Sequence, residues 1–362
     1  MLLKESIFIK SIFFIVLNFF SVAIFCIDDL RADLLKRIQG PIPQWITDQI
    51  STDLGNIRKI TPQLVDKTFI ESAGHLSRYK IFNGIVTSYD KLSTPIASKF
   101  HHFIIELSKL VRLPNVDFIV ITDDYPLQKR FEIPVFGFCK LKSRENVILI
   151  PDYQVMDLVK NRNVLQQIAE GIRRFPWDNK ISKAIWRGAN TGGITLQNYK
   201  EAPRIKAVDM AKKFPNLLDA KINMIYDFNE PEIQALLKES ACLGPTLSII
   251  EHMQYKYQLL LDGNCASWPG AYWRLHTNCV VLKQSSEQIQ WYYSLLKPWI
   301  HYIPISSDLA DLIEKIKWAQ NNDNKVKEII KNANELARDN LKYIDMLYYI
   351  YIAIQKYAQL QK

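Results

Sequence analysis

The sequence predicts an α/β fold in which short buried strands are joined by crossover helices and form a parallel sheet. Short β-branched and aromatic runs alternate along the chain with longer segments of helical periodicity, and no internal repeat is present. Of the 362 residues, 48% are hydrophobic, so the chain can bury the core of one large or two medium domains. This composition excludes a disordered tail protein, a disulfide-stapled mini-protein and a polytopic membrane protein.

The first 27 residues contain one long apolar segment. Residues 11–27 read SIFFIVLNFFSVAIFCI, and together with residues 7–9 they are long enough to span a bilayer as a helix. The small residues that could mark a signal-peptide cleavage site, Ser21 and Ala23, lie inside this run rather than after it. The sequence therefore favours a retained membrane anchor over a cleaved signal, and basic residues on both sides leave the orientation open.

The remaining residues are predicted to form two domains. Helical spacing over residues 28–61 is broken at Pro41 and Pro43 and is closed by Pro62. The predicted strands cover residues 116–122, 135–139, 147–151, 181–186, 256–262 and 277–283. The predicted helices cover residues 202–214, 232–240, 285–296 and most of 308–361. A charged, strand-poor stretch separates the two groups of strands, which predicts one domain over residues 28–160 and a second over 161–362.

Charge and motif content exclude several classes of function. The formal net charge of +9 comes from scattered basic residues, which favours a phosphate-bearing substrate or an anionic membrane surface over nucleic acid. There is no Gly-x-Gly-x-x-Gly or Walker motif, so neither a dinucleotide oxidoreductase nor a P-loop kinase is expected. The cysteines lack CxxC spacing and the histidines lack HExxH spacing, which favours buried thiols and structural histidines over a zinc site.

One cluster of aromatic residues could either pack in the core or bind a ligand. It is interpreted as interdomain core rather than as a platform for base stacking, and it consists of Trp291, Tyr292, Tyr293, Trp299 and Tyr302.

The first candidate for chemistry is the pair Asp123-Asp124, which follows the predicted strand over residues 116–122. Ligands of open α/β sheets bind beyond the carboxyl ends of the strands, where a carboxylate can act as a general base on a hydroxyl. Successive residues of a strand point in opposite directions, so at most one of the two is expected to face a cleft. A helix N-cap or a turn before Tyr125-Pro126 is the structural alternative.

The second candidate is the turn over residues 186–193, which reads WRGANTGG. A strand that ends in a glycine-rich turn leaves backbone N–H groups free for phosphate oxygens, and Arg187 adds a bidentate donor. The third candidate is DGNCASW over residues 262–268, followed by Arg274. Its small residues permit close approach of a ligand, and the helix predicted over 271–276 would place its N-terminus near the same anion. Ligand-free turns are the alternative at both places, and the two together suggest a diphosphate.

A series of further motifs, taken together, resembles glycosyltransferase family 90. They are EHMQYKY over residues 251–257, LDG over 261–263, AS over 266–267, RL over 274–275, VVLK over 280–283 and LKPWIHYIP over 296–304. WRG with TGG over 186–193, DYP over 124–126, and DL to IT over 53–61 also match the family's elements, in family order. This family includes Rumi-type protein O-glucosyltransferases, fungal capsule-associated transferases and bacterial lipopolysaccharide-modifying proteins.

The resemblance implies a GT-B arrangement of two Rossmann-like domains that face a cleft, with C-terminal helices. Residues 28–160 would form the acceptor side, and residues 161–362 would bind the nucleotide sugar. It further implies an inverting transferase that uses a UDP-sugar without a metal or other cofactor. Asp124 matches the family's catalytic base. The residues that match contacts to the nucleotide diphosphate are Gly188, Ala189, Arg204, Ala266, Ser267 and Arg274.

The expected function is therefore transfer of a glucose- or xylose-type sugar to a hydroxyl of a surface glycan, lipopolysaccharide or protein. The cysteine pairs that brace the secreted animal enzymes are not evident, so recognition of folded EGF-like domains is not expected. The alternatives are a metal-dependent GT-A transferase using Asp123 and Asp124, although Asp-x-Asp is absent, and a non-catalytic glycan- or membrane-binding relative. The catalytic body is expected on the cytoplasmic face of the inner membrane in a bacterium and in the ER or Golgi lumen in a eukaryote.

Overall fold

The computed structural model describes residues 28–71, 75–89, 94–124, 130–226, 230–239 and 242–361. The predicted membrane anchor or signal segment, residues 1–27, lies outside them. Within the described part of the chain, two five-stranded sheets each carry their own helices. No helix in this part combines the length and the apolar character needed to cross a bilayer.

Three helices precede the first sheet: α1 over residues 28–39, α2 (Gln44–Leu54) and α3 (Pro62–Ile70). Pro43 is the N-cap of α2, which accounts for the predicted break between α1 and α2. Pro62 begins α3 rather than closing the preceding helical region, because its fixed φ suits the first turn of a helix. Thr61 caps this helix by accepting a hydrogen bond from the Leu64 N–H at 3.3 Å.

The first sheet is mixed. It is formed by β1 (Leu76–Phe82), β2 (Ile85–Ser88), β3 (Val116–Ile121), β4 (Val135–Gly137) and β6 (Val147–Leu149), in the order β2-β1-β3-β4-β6, with α4 (Pro95–Leu110) between β2 and β3. The pairs β3-β4 and β4-β6 are parallel, as predicted. The prediction of a wholly parallel sheet is wrong for β1 and β2, which are antiparallel. Asn83 and Gly84 join them in a two-residue turn with φ of 48° and 81°, and so short a connection joins only antiparallel strands.

The second sheet is parallel throughout, as predicted, in the order β12-β10-β9-β7-β8. Its strands are β7 (Ile181–Ala189), β8 (Leu218–Met224), β9 (Tyr255–Leu260), β10 (Val280–Gln284) and β12 (Ile303–Ile305). Its helices are α5 (Leu158–Arg174), α6 (Pro203–Lys213), α7 (Pro231–Glu239), α8 (Ile249–His252) and α9 (Trp268–Leu275), and a short 3-10 turn (Trp177–Asn179) follows α5. The sequence prediction had missed β8 and α5.

The helix predicted over residues 285–296 is wrong. This segment contains the short strand β11 (Gln288–Ile289) and a 3-10 turn (Tyr293–Leu295). β11 pairs antiparallel with β5 (Lys140–Leu141) of the N-terminal half, so a tertiary hydrogen-bond ladder overrides the local helical pattern. This small ladder ties the two halves together beside the cleft.

The predicted helical tail is present as α10 (Leu312–Asn321), α11 (Asp323–Asn340) and α12 (Tyr343–Gln359). α12 is apolar on nearly all sides because it returns to the N-terminal half and is buried there. Its Tyr357 packs against Phe136 of β4 at 5.3 Å between ring centroids, and its Tyr349 stacks on Trp45 of α2 at 5.7 Å. The domain division after residue 160 falls within α5 and stays a prediction.

The two α/β halves face a cleft, which is the GT-B arrangement that the resemblance implied. The predicted core role of Trp291, Tyr292 and Tyr293 is confirmed, since all three are buried and Trp291 packs against Trp45 of the other half. Trp299 does not belong to this core, because it is 41% exposed and contacts Trp318. The four cysteines in the described ranges are buried thiols, as predicted.

Candidate active site

Loops that follow strands of both sheets meet at the cleft. Asp123 and Asp124 follow β3 of the first sheet, and Asn264 follows β9 of the second. The Asn264 Nδ2 donates a hydrogen bond to Asp124 Oδ2 at 3.3 Å. The carboxylate predicted at the edge of one sheet therefore touches the loop predicted at the edge of the other.

A cavity of about 560 Å³ opens beside this contact. Its lining comes mainly from the N-terminal half and comprises His75, Thr94, Pro95, Ile96, Thr122, Asp123, Asp124, Tyr153, Gln154, Tyr226 and Trp268. Both Asp123 and Asp124 line it, so the expectation that at most one of them faces the cleft is wrong. The two residues form a bend after β3 rather than extended strand, and the alternation of side chains therefore does not apply to them.

The two carboxylates differ in their surroundings. Asp123 Oδ2 lies 2.5 Å from His75 Nδ1, so this carboxylate already has a partner. Asp124 contacts Asn264, and partial burial raises the pKa of its carboxyl, assisted by the charge of Asp123. The Asn264 hydrogen bond and the charge of Arg204 act in the opposite direction without cancelling the rise. A raised pKa strengthens Asp124 as a proton acceptor.

A second cavity, of about 330 Å³, lies in the C-terminal half and is referred to below as the arginine cavity. It brings together Gly188, Ala189, Arg204, Ser267 and Arg274, which are five of the six residues that match diphosphate contacts. The sixth, Ala266, is not brought to it, because its side chain is buried in the N-terminal core cluster. Ser267, Pro269 and Gly270 place the start of α9 at the cavity wall, where the helix dipole favours an anion.

Arg274 is a buried cation without a carboxylate partner in the described part of the chain. It is 6% exposed; its Nη1 donates to the Gly270 carbonyl at 2.9 Å, and its guanidinium carbon lies 4.2 Å from the Trp273 ring centroid. Burial lowers the pKa of Arg274 to about 9, so the group still carries its charge at neutral pH. A buried, uncompensated charge is costly in the free protein and is relieved when an anion binds.

Arg204, the second cation of this cavity, is held by carbonyl groups. Its Nε donates to the Asp262 carbonyl at 3.0 Å and its Nη1 to the Ala189 carbonyl at 2.8 Å. Burial lowers its pKa to about 10, and the nearby charges of Asp262 and Asp124 partly oppose that shift. Arg204 therefore stands between the diphosphate contacts and the candidate base.

The glycine of the third motif makes room for Arg204. A Cβ atom on Gly263 would lie 2.6 Å from Arg204 Nη2 and 2.7 Å from Thr191 Oγ1. Gly263 was predicted to leave room for a ligand, and in the structure it leaves room for the Arg204 guanidinium. The neighbouring turn needs glycine for a different reason, since Gly192 and Gly193 have φ of 103° and 66°.

A family model described as "Glycosyl transferase family 90" matches residues 43–362. The chain belongs to this family. Protein O-glucosyltransferase 3 of Homo sapiens is 31% identical over 338 residues, which are 88% of this chain and 62% of that protein. Protein O-glucosyltransferase 2 of Danio rerio is 30% identical over 330 residues, 86% of this chain and 62% of that protein. The chain thus spans about three fifths of the length of these two relatives.

Two solved structures are similar to parts of this family 90 chain. One is HepE from Anabaena in complex with UDP and glucose, at 11% identity and a TM-score of 0.35, covering 52% of each chain. The other is the C-terminal domain of the glycosyl transferase group 1 protein LpcC from Francisella tularensis, at 12% identity and a TM-score of 0.31, covering 49% of this chain and 92% of that one. At these scores neither likeness bears on the site.

The proposed phosphate fork at Arg187 is not supported in this family 90 site. Both of its terminal nitrogens bind the Asp219 carboxylate at 2.9 Å, so its charge is already compensated inside the protein. The pair of arginines expected to hold a diphosphate is therefore Arg204 with Arg274 rather than Arg187 with Arg274. Spacing along the sequence could not show this, because Asp219 lies on the neighbouring strand β8, which the sequence prediction had missed.

His252 is the lining residue of the arginine cavity that sequence reasoning had assigned a structural role by default. Its Nδ1 lies 3.0 Å from the Ser248 carbonyl, so that nitrogen carries the proton, and its Nε2 is buried without a hydrogen-bond partner. Burial, followed by the charges of Arg274 and Arg187, lowers the pKa of His252 to about 4. Its position in EHMQYKY was the signal that could have drawn attention to it.

No group of three or more His, Cys, Asp or Glu side chains arranged to hold a metal ion occurs within the ranges that the structure describes. The absence of a metal requirement stays a prediction of the family resemblance.

Proposed function

We propose that this family 90 chain transfers a sugar, with inversion, from a UDP-sugar to a hydroxyl group of a protein or glycan acceptor. The observation that carries the proposal is the pairing of opposite chemical roles across the cleft. Asp124 offers a carboxylate with a raised pKa on one side, and the arginine cavity offers Arg204 and Arg274 on the other, neither of which forms an ion pair of 4 Å or less with a described residue. A proton acceptor and an anion site are the two things that such a transfer requires.

In this mechanism the acceptor occupies the cavity of about 560 Å³ that Asp124 lines. Asp124 takes the proton of the acceptor hydroxyl while the oxygen forms a bond to the anomeric carbon. The bond between that carbon and the diphosphate oxygen breaks on the opposite face, and UDP leaves with the electron pair. Arg204, Arg274 and the first turn of α9 stabilise the charge that develops on the diphosphate.

The donor sugar is proposed to be glucose, with xylose as the alternative, because the relatives at about 30% identity are named protein O-glucosyltransferases. The acceptor class includes lipopolysaccharide and other surface glycans as well as proteins. Attachment to a membrane through residues 11–27 also stays a proposal, and the organism decides whether the catalytic body faces the cytoplasm or the secretory lumen.

The experiment compares Asp124→Asn with Asp123→Asn, two isosteric changes at adjacent carboxylates that line one cavity. We expect Asp124→Asn to lower kcat by about 10²–10⁴-fold, because this is the typical contribution of a general base. The dissociation constant for UDP, measured by calorimetry, should stay close to wild type in this variant. UDP release from a panel of UDP-sugars gives the donor at the same time.

Asp123→Asn decides which carboxylate is the base. It should retain most of kcat, because Asp123 is already paired with His75. Loss of kcat in Asp123→Asn with normal turnover in Asp124→Asn would overturn the assignment. Undiminished turnover in excess EDTA would exclude a metal-dependent GT-A mechanism, and failure of wild type to bind any UDP-sugar would favour a non-catalytic binding protein.

A further inference from the structure

The tip of the β1-β2 hairpin exposes two large apolar side chains that the fold does not use. Phe82 and Ile85 are direct cross-strand partners and are 56% and 69% exposed. They lie on the outer face of the hairpin, since Tyr79 and Ile81 of the same strand are buried. This adjacent pair of exposed apolar side chains is available to another apolar phase.

Cationic side chains lie on one side of this tip. A shallow cavity of about 400 Å³ is lined by the hairpin turn, Arg31 of α1, Lys109 at the end of α4, and Arg112. Arg31 and Arg112 are exposed and make no ion pair with any described residue, whereas Lys109 is paired with Glu106 at 2.7 Å. The cavity adjoins α4, which packs on the Tyr79 face of the hairpin, so the two guanidinium groups flank the tip from the side opposite Phe82 and Ile85. A tip that meets a bilayer end-on would bring the apolar pair to the acyl chains and the flanking guanidinium groups to the phosphates.

The first described residue of the chain, Asp28, lies near the same cavity. Arg31 and Lys109 also line a neighbouring cavity of about 710 Å³, together with Asp28 and Leu30. Asp28 directly follows the apolar residues 11–27. The first described residue after that run is therefore linked to the hairpin turn through the two cavities that share Arg31 and Lys109.

We propose that Arg31, Phe82, Ile85, Lys109 and Arg112, named here the hairpin face, form a docking surface for an anionic lipid bilayer. Phe82 and Ile85 enter the boundary between headgroups and acyl chains, and Arg31 and Arg112 bind lipid phosphates. The proposal uses the proposed membrane attachment of residues 11–27 but not the sugar-transfer chemistry. It fixes which side of the catalytic body faces the membrane.

The test uses the full chain in vesicles, with Cys26→Ser so that only an introduced cysteine reacts with an environment-sensitive fluorophore. The probe is placed through Ile85→Cys. The matched control is Leu236→Cys on α7, another exposed aliphatic position (40% exposed). Vesicles of phosphatidylcholine with phosphatidylglycerol carry shallow nitroxide-labelled lipid. We expect quenching at position 85 and not at position 236.

Arg31→Ser and Arg112→Ser should each lower the equilibrium constant for docking of the hairpin face on the bilayer by about fivefold. Added salt should weaken the docking of wild type in the same direction. UDP binding in these variants checks that the protein is folded. The proposal is overturned if vesicle-bound protein shows no more quenching at position 85 than at position 236. It is also overturned if the chain does not bind vesicles, or if the probe at 85 is protected without lipid in proportion to protein concentration, which would indicate a second copy of the chain.

Discussion

Replacement of Arg274 by methionine separates the cost of its charge in the free protein from its value in binding. In the free protein the change removes one hydrogen bond to a carbonyl, worth about 1 kcal/mol, and one contact with Trp273, worth about 0.5–1 kcal/mol. It also removes a buried cation that has no carboxylate partner in the described residues. Because these effects oppose each other, the free energy of unfolding of Arg274→Met should lie within about 1 kcal/mol of wild type.

The effect on UDP binding should be much larger. Charge-assisted hydrogen bonds contribute about 1.5–3 kcal/mol, so losing the Arg274 fork should weaken UDP binding by about 100-fold. UDP at about 100 times the wild-type Kd stabilises the native state by about 2.7 kcal/mol, whereas a 100-fold weaker variant gains only about 0.4 kcal/mol. The assay is urea unfolding with and without UDP, which yields both quantities from one protein.

Arg187→Met is the matched control, since it removes a second arginine from the same cavity. Its loss leaves the Asp219 carboxylate unpaired, so the free protein should be destabilised. The cost should fall below the about 3–5 kcal/mol typical of fully buried pairs, because Asp219 is 28% exposed. The reasoning is refuted if Arg274→Met destabilises the free protein more than Arg187→Met, or if it keeps the full stabilisation by UDP.

Three further expectations concern named residues. Affinity for a UDP-sugar, whose diphosphate diester does not titrate in this range, should be flat from about pH 5.5 to 8, because the pKa of His252 is lowered to about 4 and the ring stays neutral. The unfolded chain binds this proton from about pH 6.5 downward, so His252 should reduce the free energy of unfolding as the pH falls from there toward 4. Gly263→Ala should lower kcat/KM by at least about tenfold, since the new Cβ would displace Arg204. Lys140→Met should lower the free energy of unfolding by about 3–5 kcal/mol, because it leaves the buried Asp53 carboxylate without a cation, with only the hydrogen bonds from Gln49 and Leu149.

Each of these has its own check. Titration calorimetry over pH would contradict the first if affinity changed with a midpoint near 6.5. Gly40→Ala, where a Cβ meets nothing closer than 3.5 Å, is the control for Gly263→Ala, and equal kinetic losses in both would remove the steric argument. For the ion pair, Asp53→Leu combined with Lys140→Met should recover part of the lost stability in urea unfolding; no recovery would show that packing rather than charge is responsible.

The structure explains which predicted elements were correct. Strands β3, β7, β9 and β10 were predictable because each contains a short buried run of mainly apolar residues, which can be recognised without knowledge of its neighbours. β1 and β2 were missed although Asn83-Gly84 between two short runs of alternating burial is a hairpin signal. The segment over 285–296 was wrongly predicted because its pairing partner β5 lies more than 140 residues away in the sequence.

The sequence by itself determined the family, the parallel second sheet and the residue types of the site, since each of these is expressed in local patterns and motifs. Only the tertiary structure decided which charges are free for a ligand. Asp219 compensates Arg187 and His75 engages Asp123, whereas Arg274 has no described carboxylate partner and Asp124 remains open to the acceptor cavity. The physical reason is that a charge is neutralised by its neighbours in space, and these neighbours come from strands and loops that are remote along the chain.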